Sequence, residues 1–369
     1  MSTQLKDLYS PEFYQRLSAT LESLLPDFET EAFLQLIFDA EWKNRELKDR
    51  MWHTSRVLHQ FFPADFGEAA QVIIQLVNKL IAEGFTHASL EFMFLPDYVE
   101  RFGLEHFNSS IRVFEHITAF SSCEFAVRPF IVKYPDKMID QMIEWTGHAD
   151  EHVRRLASEG SRPRLPWAMA LPEFKKNPEP ILPLLENLKH DPSEYVRRSV
   201  ANNLNDISKD NPEVTLALAG KWIGTKQETD RLVKHACRTL LKKGDPEALR
   251  LFKYGDPGQL EVNNFLILTP EVKMGGALQF SFELSNPGKS TQKVRIEYGL
   301  YYLKANGSLS GKVFKISEKI MDPGSVFQCN RKQHFSIITT RRYYPGRHEL
   351  SVIINGKEKV RESFVLLGD

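Results

Sequence analysis

The segment from Asp191 to Pro212 reads DPSEYVRRSVANNLNDISKDNP and has a related copy earlier in the chain. Aligning EYVRRSVANN, which starts at Glu194, with EHVRRLASEG, which starts at Glu151, gives a shift of 43 residues. A third related segment, RLVKHACRTL from Arg231, follows 37 residues further on. Periods of about 40 residues built from helix pairs are typical of HEAT-like stacks, so the sequence predicts a helical solenoid.

Local capping chemistry is expected to fix where the repeat helices begin. DPSE from Asp191 offers an Asp at the N-cap, a Pro at the first helical position and a Glu at the third. The same start recurs in NPE at Asn211 and DPE at Asp245. Upstream, apolar residues recur at i, i+3, i+4 and i+7 in residues 31–62 and 65–84. The helical pattern therefore extends through the first two thirds of the chain.

The hydrophobic period changes to two after the segment YGDPGQL, near residue 255. The alternating segments are ALQFSFELS (277–285), QKVRIEYGLYYL (292–303), KVFKIS (312–317), HELSVIIN (348–355) and RESFVLL (361–367). About seven short strands in such a length predict an immunoglobulin-like sandwich, although the Cys…Trp…Cys pattern of antibody domains is missing. We therefore predict a multidomain chain, with an all-α HEAT-like-repeat solenoid at 1–255 and a small all-β immunoglobulin-like sandwich at 256–369.

Composition indicates a globular protein of a reducing compartment. The chain has 369 residues, 42% of them hydrophobic, and a formal net charge of zero. Neither a signal peptide nor an apolar run of membrane-spanning length is visible, so we expect a cytoplasmic protein with no membrane partner. The cysteines Cys123, Cys237 and Cys329 lack metal-ligand spacing, which predicts buried thiols and no metal or other cofactor.

The balanced net charge hides a strong asymmetry along the chain. Residues 1–149 carry 13 Lys and Arg against 22 Asp and Glu, a net of −9. Residues 150–250 carry 18 against 15, and residues 251–369 carry 17 against 11, giving +3 and +6. A basic later part is compatible with a polyanionic partner, and an ordinary solvated surface is the alternative.

Two carboxylates are expected on comparable flanks of neighbouring repeat helices. The second repeat helix has one apolar face, made of Val196, Val200, Leu204 and Ile207. Asn205 points nearly opposite this face and Asp206 lies on its flank, as Glu159 does in the preceding repeat. The structural alternative is that Glu159 pairs with Arg155 four residues away and that Asp206 merely ends its helix. An acidic residue at a helix C-terminus opposes the helix dipole, however, which favours a functional role.

Trp167 also has two interpretations. It follows Pro166 at an expected helix start, where an aromatic residue usually anchors the core. Alternatively, an indole face beside carboxylates attracts a cation. Arginine pairs at 154–155 and 197–198 then flank the site with phosphate-binding capacity. Alkylated DNA combines a cationic base with a phosphate backbone, so it is a substrate that these residue types would suit.

The segment at 166–213, PWAMALPEFKKNPEPILPLLENLKHDPSEYVRRSVANNLNDISKDNPE, resembles the AlkC branch of the HEAT-like-repeat DNA glycosylases. The resemblance covers roughly residues 5–255, and some AlkC members also carry a C-terminal immunoglobulin-like domain that helps to embrace DNA. It implies a DNA glycosylase that hydrolyses the N-glycosidic bond of 3-methyladenine and 3-methylcytosine. It further implies that the lesion stays largely within the duplex instead of flipping into a pocket.

The resemblance assigns roles to individual side chains. The catalytic positions that it implies are Glu124, Glu159, Trp167 and Asp206. For Glu124 an ordinary carboxylate in an N-cap region is the alternative. The arginines assigned to DNA binding are Arg154, Arg155, Arg162, Arg197, Arg198, Arg238, Arg341 and Arg342. The expected partner is double-stranded alkylated DNA, bound by a monomer without metal.

The residue types suit the implied chemistry. An N3-alkylated base is already a cation and leaves readily, so carboxylates that stabilise positive charge on the sugar and orient water suffice. Basic residues at Arg331, Lys332 and Arg347, expected in loops, make the sandwich a candidate DNA clamp, with edge-protecting charges as the alternative. The opposing hypothesis is a non-catalytic HEAT-repeat scaffold that binds protein or nucleic acid, because most helical solenoids are interaction surfaces.

Overall fold

The computed structural model describes residues 4–85, 90–336 and 342–368. Within these ranges the chain forms sixteen α-helices followed by eight β-strands. It divides into two compact units, one made of Met1–Thr215 and Trp222–Ala236, the other of Leu216–Lys221 and Cys237–Asp369. The predicted fold class, a helical solenoid followed by an immunoglobulin-like sandwich, is confirmed. The boundary at residues 255 and 256 stays a prediction.

The helices have the following bounds: α1 Pro11–Glu22, α2 Thr30–Ile37, α3 Leu47–Leu58, α4 Phe66–Ala82, α5 Phe94–Phe102, α6 Phe107–Ile117, α7 Val127–Lys133, α8 Pro135–Trp145, α9 Glu151–Gly160, α10 Pro172–Lys176, α11 Leu182–Leu188, α12 Glu194–Ile207, α13 Pro212–Trp222, α14 Gln227–Ala236, α15 Arg238–Lys243 and α16 Pro246–Leu251. Among the described residues, none of these helices is both long enough and apolar enough to cross a bilayer. The periodic stretch at 31–62 forms two helices, α2 and α3, separated by a short 3-10 turn.

Two of the three predicted capping sites are correct and one is displaced. Helix α13 begins at Pro212 and α16 begins at Pro246, where the Asp245 carboxylate accepts two backbone N–H groups. Helix α12 begins later than expected, with Ser193 at its N-cap. Asp191 instead closes the preceding turn by accepting the Ser193 N–H at 2.8 Å, and it also binds Arg154. The ion pair with Arg154 of α9 therefore holds the Asp191 carboxylate away from the N-cap position of α12.

The repeat helices α9, α12 and α14 pack side by side. The predicted apolar face of α12 is buried, as expected. Asn205 and Asp206 were expected on the polar side and the flank of α12, yet both side chains are also buried. The reason is that α12 has a neighbouring helix on each side, so its flanks are covered by protein and not by water. Polar flanks of a stacked helix thus become buried polar contacts.

The strands have the following bounds: β1 Glu261–Ile267, β2 Glu271–Lys273, β3 Ala277–Ser285, β4 Gln292–Leu303, β5 Leu309–Met321, β6 Val326–His334, β7 Gly346–Ile354 and β8 Lys357–Leu367. They form a three-stranded sheet in the order β1-β3-β6 and a five-stranded sheet in the order β2-β8-β7-β4-β5. All pairs are antiparallel except β2 with β8. The core between the sheets includes Phe280, Phe282, Val294, Ile296, Leu350 and Phe364.

The five alternating segments of the sequence fall in β3, β4, β5, β7 and β8. Strand β1 lacked a clear period because its pairing with β3 shifts between Asn263 and Leu266, and Asn264 between them has a φ of 50°. A bulge of this kind breaks the alternation on which strand prediction depends. The described residues hold eight strands, close to the predicted number of about seven.

The three cysteines are buried and none forms a disulfide, which confirms the predicted buried thiols. Burial raises the pKa of Cys123 and Cys329, and it raises that of Cys237 to about 12. Since the thiolate is the reactive form, these residues are expected to be chemically inert near neutral pH.

Candidate active site

A cleft of about 390 Å³ opens in the helical unit. Its walls come from α3, α5, the turn before α7, α9, the loop after α9 and the start of α12. The charged and aromatic residues that line it are Asp97, Glu100, Glu124, Phe125, Arg155, Glu159, Arg162, Trp167 and Tyr195. Three of the four predicted catalytic positions, Glu124, Glu159 and Trp167, thus meet in one cleft.

Glu159 lies in the last turn of α9 with 5% of its surface exposed. Its Oε1 accepts a hydrogen bond from Arg162 at 2.6 Å, and its Oε2 accepts one from the Ser199 hydroxyl at 2.6 Å. The expected partner Arg155 lies farther away, with 3.8 Å between its Nη2 and Oε1. Both carboxylate oxygens are therefore fixed in direction while the group faces the cleft.

Asp206 lies in the last turn of α12 with only 1% of its surface exposed. Its Oδ2 accepts a hydrogen bond from Nε of Arg162 at 2.8 Å, and its Oδ1 accepts one from Lys209 at 2.8 Å. Burial disfavours the charged form of Arg162, but the carboxylates of Glu159 and Asp206 outweigh it and raise its pKa. Asp206 is not among the described residues that line the cleft. It contacts Arg162, which does line the cleft.

Glu124 lies in the turn before α7, and its side chain does not cap that helix, whose N-cap residue is Ala126. Glu124 therefore lies in the N-cap region, as the alternative has it, without capping the helix. The Glu124 carboxylate instead accepts a hydrogen bond from Arg155 at 2.7 Å and another from the Ser122 hydroxyl. The guanidinium of Arg155 also lies over the ring of Tyr195, 4.6 Å from its centroid. Arg155 of α9 and the neighbouring Ser122 together orient Glu124.

Trp167 lies in a loop and not at a helix start, since α10 begins only at Pro172. Its side chain is 60% exposed, so the core-anchor interpretation is wrong. Its φ of 66° is left-handed, a conformation that costs a non-glycine residue on the order of 1–2 kcal/mol. The ammonium of Lys48 donates a hydrogen bond to the Trp167 carbonyl. A strained backbone that presents a large indole to a cleft is typical of functional sites.

Arg128 holds the loop that carries Trp167 and was missed by the sequence reasoning. Its side chain is completely buried, and it donates to the carbonyl of Met169 at 2.6 Å and to those of Gly160 and Arg162 at 2.9 and 2.8 Å. Burial lowers the pKa of Arg128 to about 10, which still leaves it charged near neutral pH. The guanidinium thereby ties both ends of the loop together. The signal available in the sequence was a single charge in the otherwise apolar run FAVRPFIV.

Glu100 is a second side chain that the sequence reasoning missed. It lies on α5 and lines the cleft. Burial and, to a smaller extent, the charge of Asp97 raise its pKa, Arg101 and Lys48 lower it, and the resulting pKa is about 7. Nothing in the local sequence FLPDYVERF distinguishes this glutamate from an ordinary polar residue of an amphipathic helix.

Residues 53–241, half of the chain, match the family described as "DNA alkylation repair enzyme". The chain belongs to this family. Residues 261–368 match a second family, described as "Uncharacterised protein YhaZ, C-terminal Ig-like domain".

Two similar proteins cover nearly the whole chain. The Bacillus subtilis (strain 168) protein described as "Uncharacterized protein YhaZ" is 43% identical over 355 residues, which is 96% of this chain and 97% of that protein. The Pseudomonas fluorescens alkylpurine DNA glycosylase AlkC, solved bound to DNA containing an abasic site analog, is 34% identical with a TM-score of 0.93. This alignment covers 99% of this chain and 100% of that chain. The predicted AlkC-type resemblance is confirmed.

In this member of the DNA alkylation repair family, the predicted DNA-binding arginines of the helical unit differ in availability. Arg154 is committed to Asp191 through two hydrogen bonds of 2.7 and 3.1 Å. Arg197 donates to the backbone carbonyls of Asp191 and Pro192. Arg198 is exposed and, among the described residues, pairs only with Glu194 of its own helix. A second groove, of about 450 Å³, is lined by Glu194, Arg197, Arg198, Ala201, Glu228, Arg231, Leu232 and His235.

The predicted DNA-binding residues of the other unit are only partly described. Arg238 is half-buried in α15, and Arg341 lies outside the described residues. Arg342 is exposed, with its guanidinium 5.4 Å from the centroid of the Tyr344 ring. The further basic residues expected in loops lie in strands instead: Arg331 and Lys332 in β6 and Arg347 in β7, all exposed.

Proposed function

We propose that this protein is a DNA glycosylase that excises cationic N3-alkylated bases, 3-methyladenine and 3-methylcytosine. The observation that carries the proposal is the cleft in which Glu124 and Glu159 face an exposed, strained Trp167. The similarity to an alkylpurine DNA glycosylase over the full chain supports the same activity. Anionic groups and a π-face together favour a positively charged base over a neutral one.

The reaction is a hydrolysis of the N-glycosidic bond. The bond electrons move to the base nitrogen and neutralise the alkylated base, so the leaving group needs no added proton. Positive charge then develops on the deoxyribose, and carboxylates beside it stabilise the oxocarbenium-like state. The oxygen of a water molecule forms the new bond to the sugar carbon, and its proton passes to a base. Glu124 and Glu159 supply fixed negative charge, because their arginine partners orient them without covering the cleft.

Trp167 gives the site its selectivity. Its indole is positioned to stack against the cationic nucleotide, and the attraction is lost when the base is neutral. The hydrogen bonds of Lys48 and Arg128 hold the loop in the conformation that exposes the indole. Since the loop is fixed on the protein, we propose that the lesion is attacked while it remains within the duplex.

Arg162 is better suited to positioning than to phosphate binding. Its guanidinium is buried and bonds both Glu159 and Asp206, so it has little remaining capacity for DNA. Phosphate contacts are more readily made by the groove that contains Arg197, Arg198 and Arg231. Asp206 then serves as a positioning residue, which sets the place of Arg162 and through it that of Glu159.

The experiment incubates the protein with methylated duplex DNA and measures free 3-methyladenine and 3-methylcytosine by mass spectrometry. We expect release of both bases, with an equal rate when a chelator is present. Unmethylated duplex is the matched control and should release no base. If no base leaves any methylated duplex although the protein binds it, the scaffold hypothesis replaces the glycosylase proposal.

A further inference from the structure

Glu100 differs from the other acidic residues of the cleft in its partners. Glu124 and Glu159 each accept a short hydrogen bond from an arginine of the cleft, and Asp97 accepts one from Arg101 at 2.7 Å. Within the part of the chain that the structure describes, the Glu100 carboxylate accepts no hydrogen bond. Its oxygens therefore have lone pairs available for a small molecule in the cleft.

The charges around Glu100 make it suitable for accepting a proton. On its own helix α5 these are Asp97 and Arg101, and from α3 the ammonium of Lys48 acts on it. The charged groups of the opposite walls are occupied with one another, in the pairs of Glu124 with Arg155 and of Glu159 with Arg162. Burial and the nearby Asp97 charge disfavour the ionised form and bring the pKa to about 7, close to the value that suits a general base.

The paired carboxylates are less suited to this task. Glu159 is paired with Arg162, which is buried and also binds Asp206, and Glu124 is paired with Arg155 at 2.7 Å. Removing one charge from a buried pair costs several kcal/mol. Glu124 and Glu159 are therefore better suited to stabilising positive charge on the sugar than to accepting a proton.

We propose that Glu100 is the proton acceptor of the reaction and removes the proton from the attacking water. The assignment rests on the proposed glycosylase function. In the step, the water oxygen bonds to the sugar carbon while the bond from that carbon to the base nitrogen breaks. The electron pair of the broken bond neutralises the base, and the water proton moves to the Glu100 carboxylate. Solvent takes up this proton after the base leaves.

The test compares the wild-type protein with Glu100→Gln in single-turnover excision at saturating enzyme, from about pH 5.5 to about pH 8.5. The wild-type rate should rise as pH increases through about 7 and then level, because only the ionised carboxylate accepts a proton. Glu100→Gln should lose this rise and be at least about tenfold slower at about pH 8. Glu100→Asp should keep the rise at a reduced rate. Glu105→Gln, which removes an exposed carboxylate outside the cleft, should match the wild type.

Two further measurements separate catalysis from folding. Carboxyl NMR of glutamate-labelled protein should show one side chain that titrates near 7 and is missing in Glu100→Gln. The melting temperature of Glu100→Gln at about pH 8 should equal or exceed that of the wild type, since a neutral side chain avoids the cost of burying a charge.

The outcomes are distinct. A wild-type rate without the rise through neutral pH, or a Glu100→Gln variant that keeps it, overturns the assignment while base release still supports the glycosylase. A wild-type protein that releases no base overturns the proposed function and the assignment with it. Loss of the rise in Glu100→Gln together with an unchanged melting temperature supports the assignment.

Discussion

Each unit of the protein buries one arginine between two carboxylates, but the two clusters differ in their surroundings. In the helical unit, Arg162 bonds Glu159 at 2.6 Å and Asp206 at 2.8 Å. In the sandwich, Arg295 bonds Glu297 at 2.6 Å and Glu318 at 3.2 Å. By residue type and distance alone the clusters are nearly equivalent.

What separates them is the space beside them. Arg162 and Glu159 line a cleft that also contains an exposed indole. Arg295 and Glu297 lie on adjacent positions of one face of β4, and Glu297 is completely buried. A buried ionic cluster is therefore not in itself a sign of catalysis. A cluster becomes a candidate site when one of its carboxylates faces a volume that a substrate can enter.

The largest expected effect is on the stability of the sandwich. Glu297→Gln should lower the free energy of unfolding by about 3 kcal/mol, because it leaves Arg295 buried with a single, longer pair. Base release at a temperature where the variant is folded should not change. Urea denaturation and single-turnover excision measure the two quantities. The exposed Glu362→Gln on β8 is the control, and equal stability of both variants would contradict the prediction.

The corresponding change in the helical unit should act on the reaction. Glu159→Gln and Asp206→Asn should each slow single-turnover excision by at least about tenfold, or about 1.4 kcal/mol of transition-state stabilisation, with DNA binding retained. Both side chains are buried and ion-paired, so some loss of melting temperature is also expected. Rates are therefore compared well below the melting transition.

Glu213→Gln is the control for this comparison, since it removes an exposed carboxylate on α13 that lines neither the cleft nor the arginine groove. It should excise at the wild-type rate. If Glu159→Gln and Asp206→Asn also excised at that rate while folded, the cluster of the helical unit would be as purely structural as that of the sandwich.

The smallest expected effect concerns the surface charges of the sandwich. If Arg342 and Arg347 contact phosphates, the double variant to Gln should flatten the log–log dependence of DNA affinity on salt by about 0.9 per lost contact. The excision rate at saturating enzyme should stay unchanged. Lys289→Gln is the control, because Lys289 is an exposed cation between β3 and β4 that is not among the predicted DNA-binding residues. An unchanged slope in the double variant would assign the phosphate contacts to the helical unit.

Much of the fold followed from local patterns. The two aligned repeat segments begin at Glu151 and Glu194, which are the first residues of α9 and α12. Two of the alternating segments also coincide with β3 and β4 at both ends. These elements are determined by short-range periodicity and turn residues, which are visible in a single sequence. The resemblance and the repeat alignment also placed Glu159 and Trp167, which the structure brings to one cleft.

The remainder depends on contacts between distant segments. The bond from Arg162 to Asp206 joins residues 44 positions apart, and the one from Arg128 to Met169 joins residues 41 apart. The perturbed pKa of Glu100 arises from burial, which no periodicity of α5 encodes. Such features appear only when the helices are stacked, so sequence reasoning found the carboxylates but not what orients them.

The exposed indole of Trp167 is also an intrinsic fluorescent reporter of the site. Of the five tryptophans, Trp42, Trp145 and Trp222 are buried, whereas Trp52 and Trp167 are exposed. A buried indole emits at shorter wavelength and is shielded from a dissolved quencher such as acrylamide. In a Trp52→Phe background, the red-edge, quencher-accessible fluorescence would come mainly from Trp167. Docking of a charged nucleotide against that ring would then be read as a change in emission, in real time and before any bond is broken.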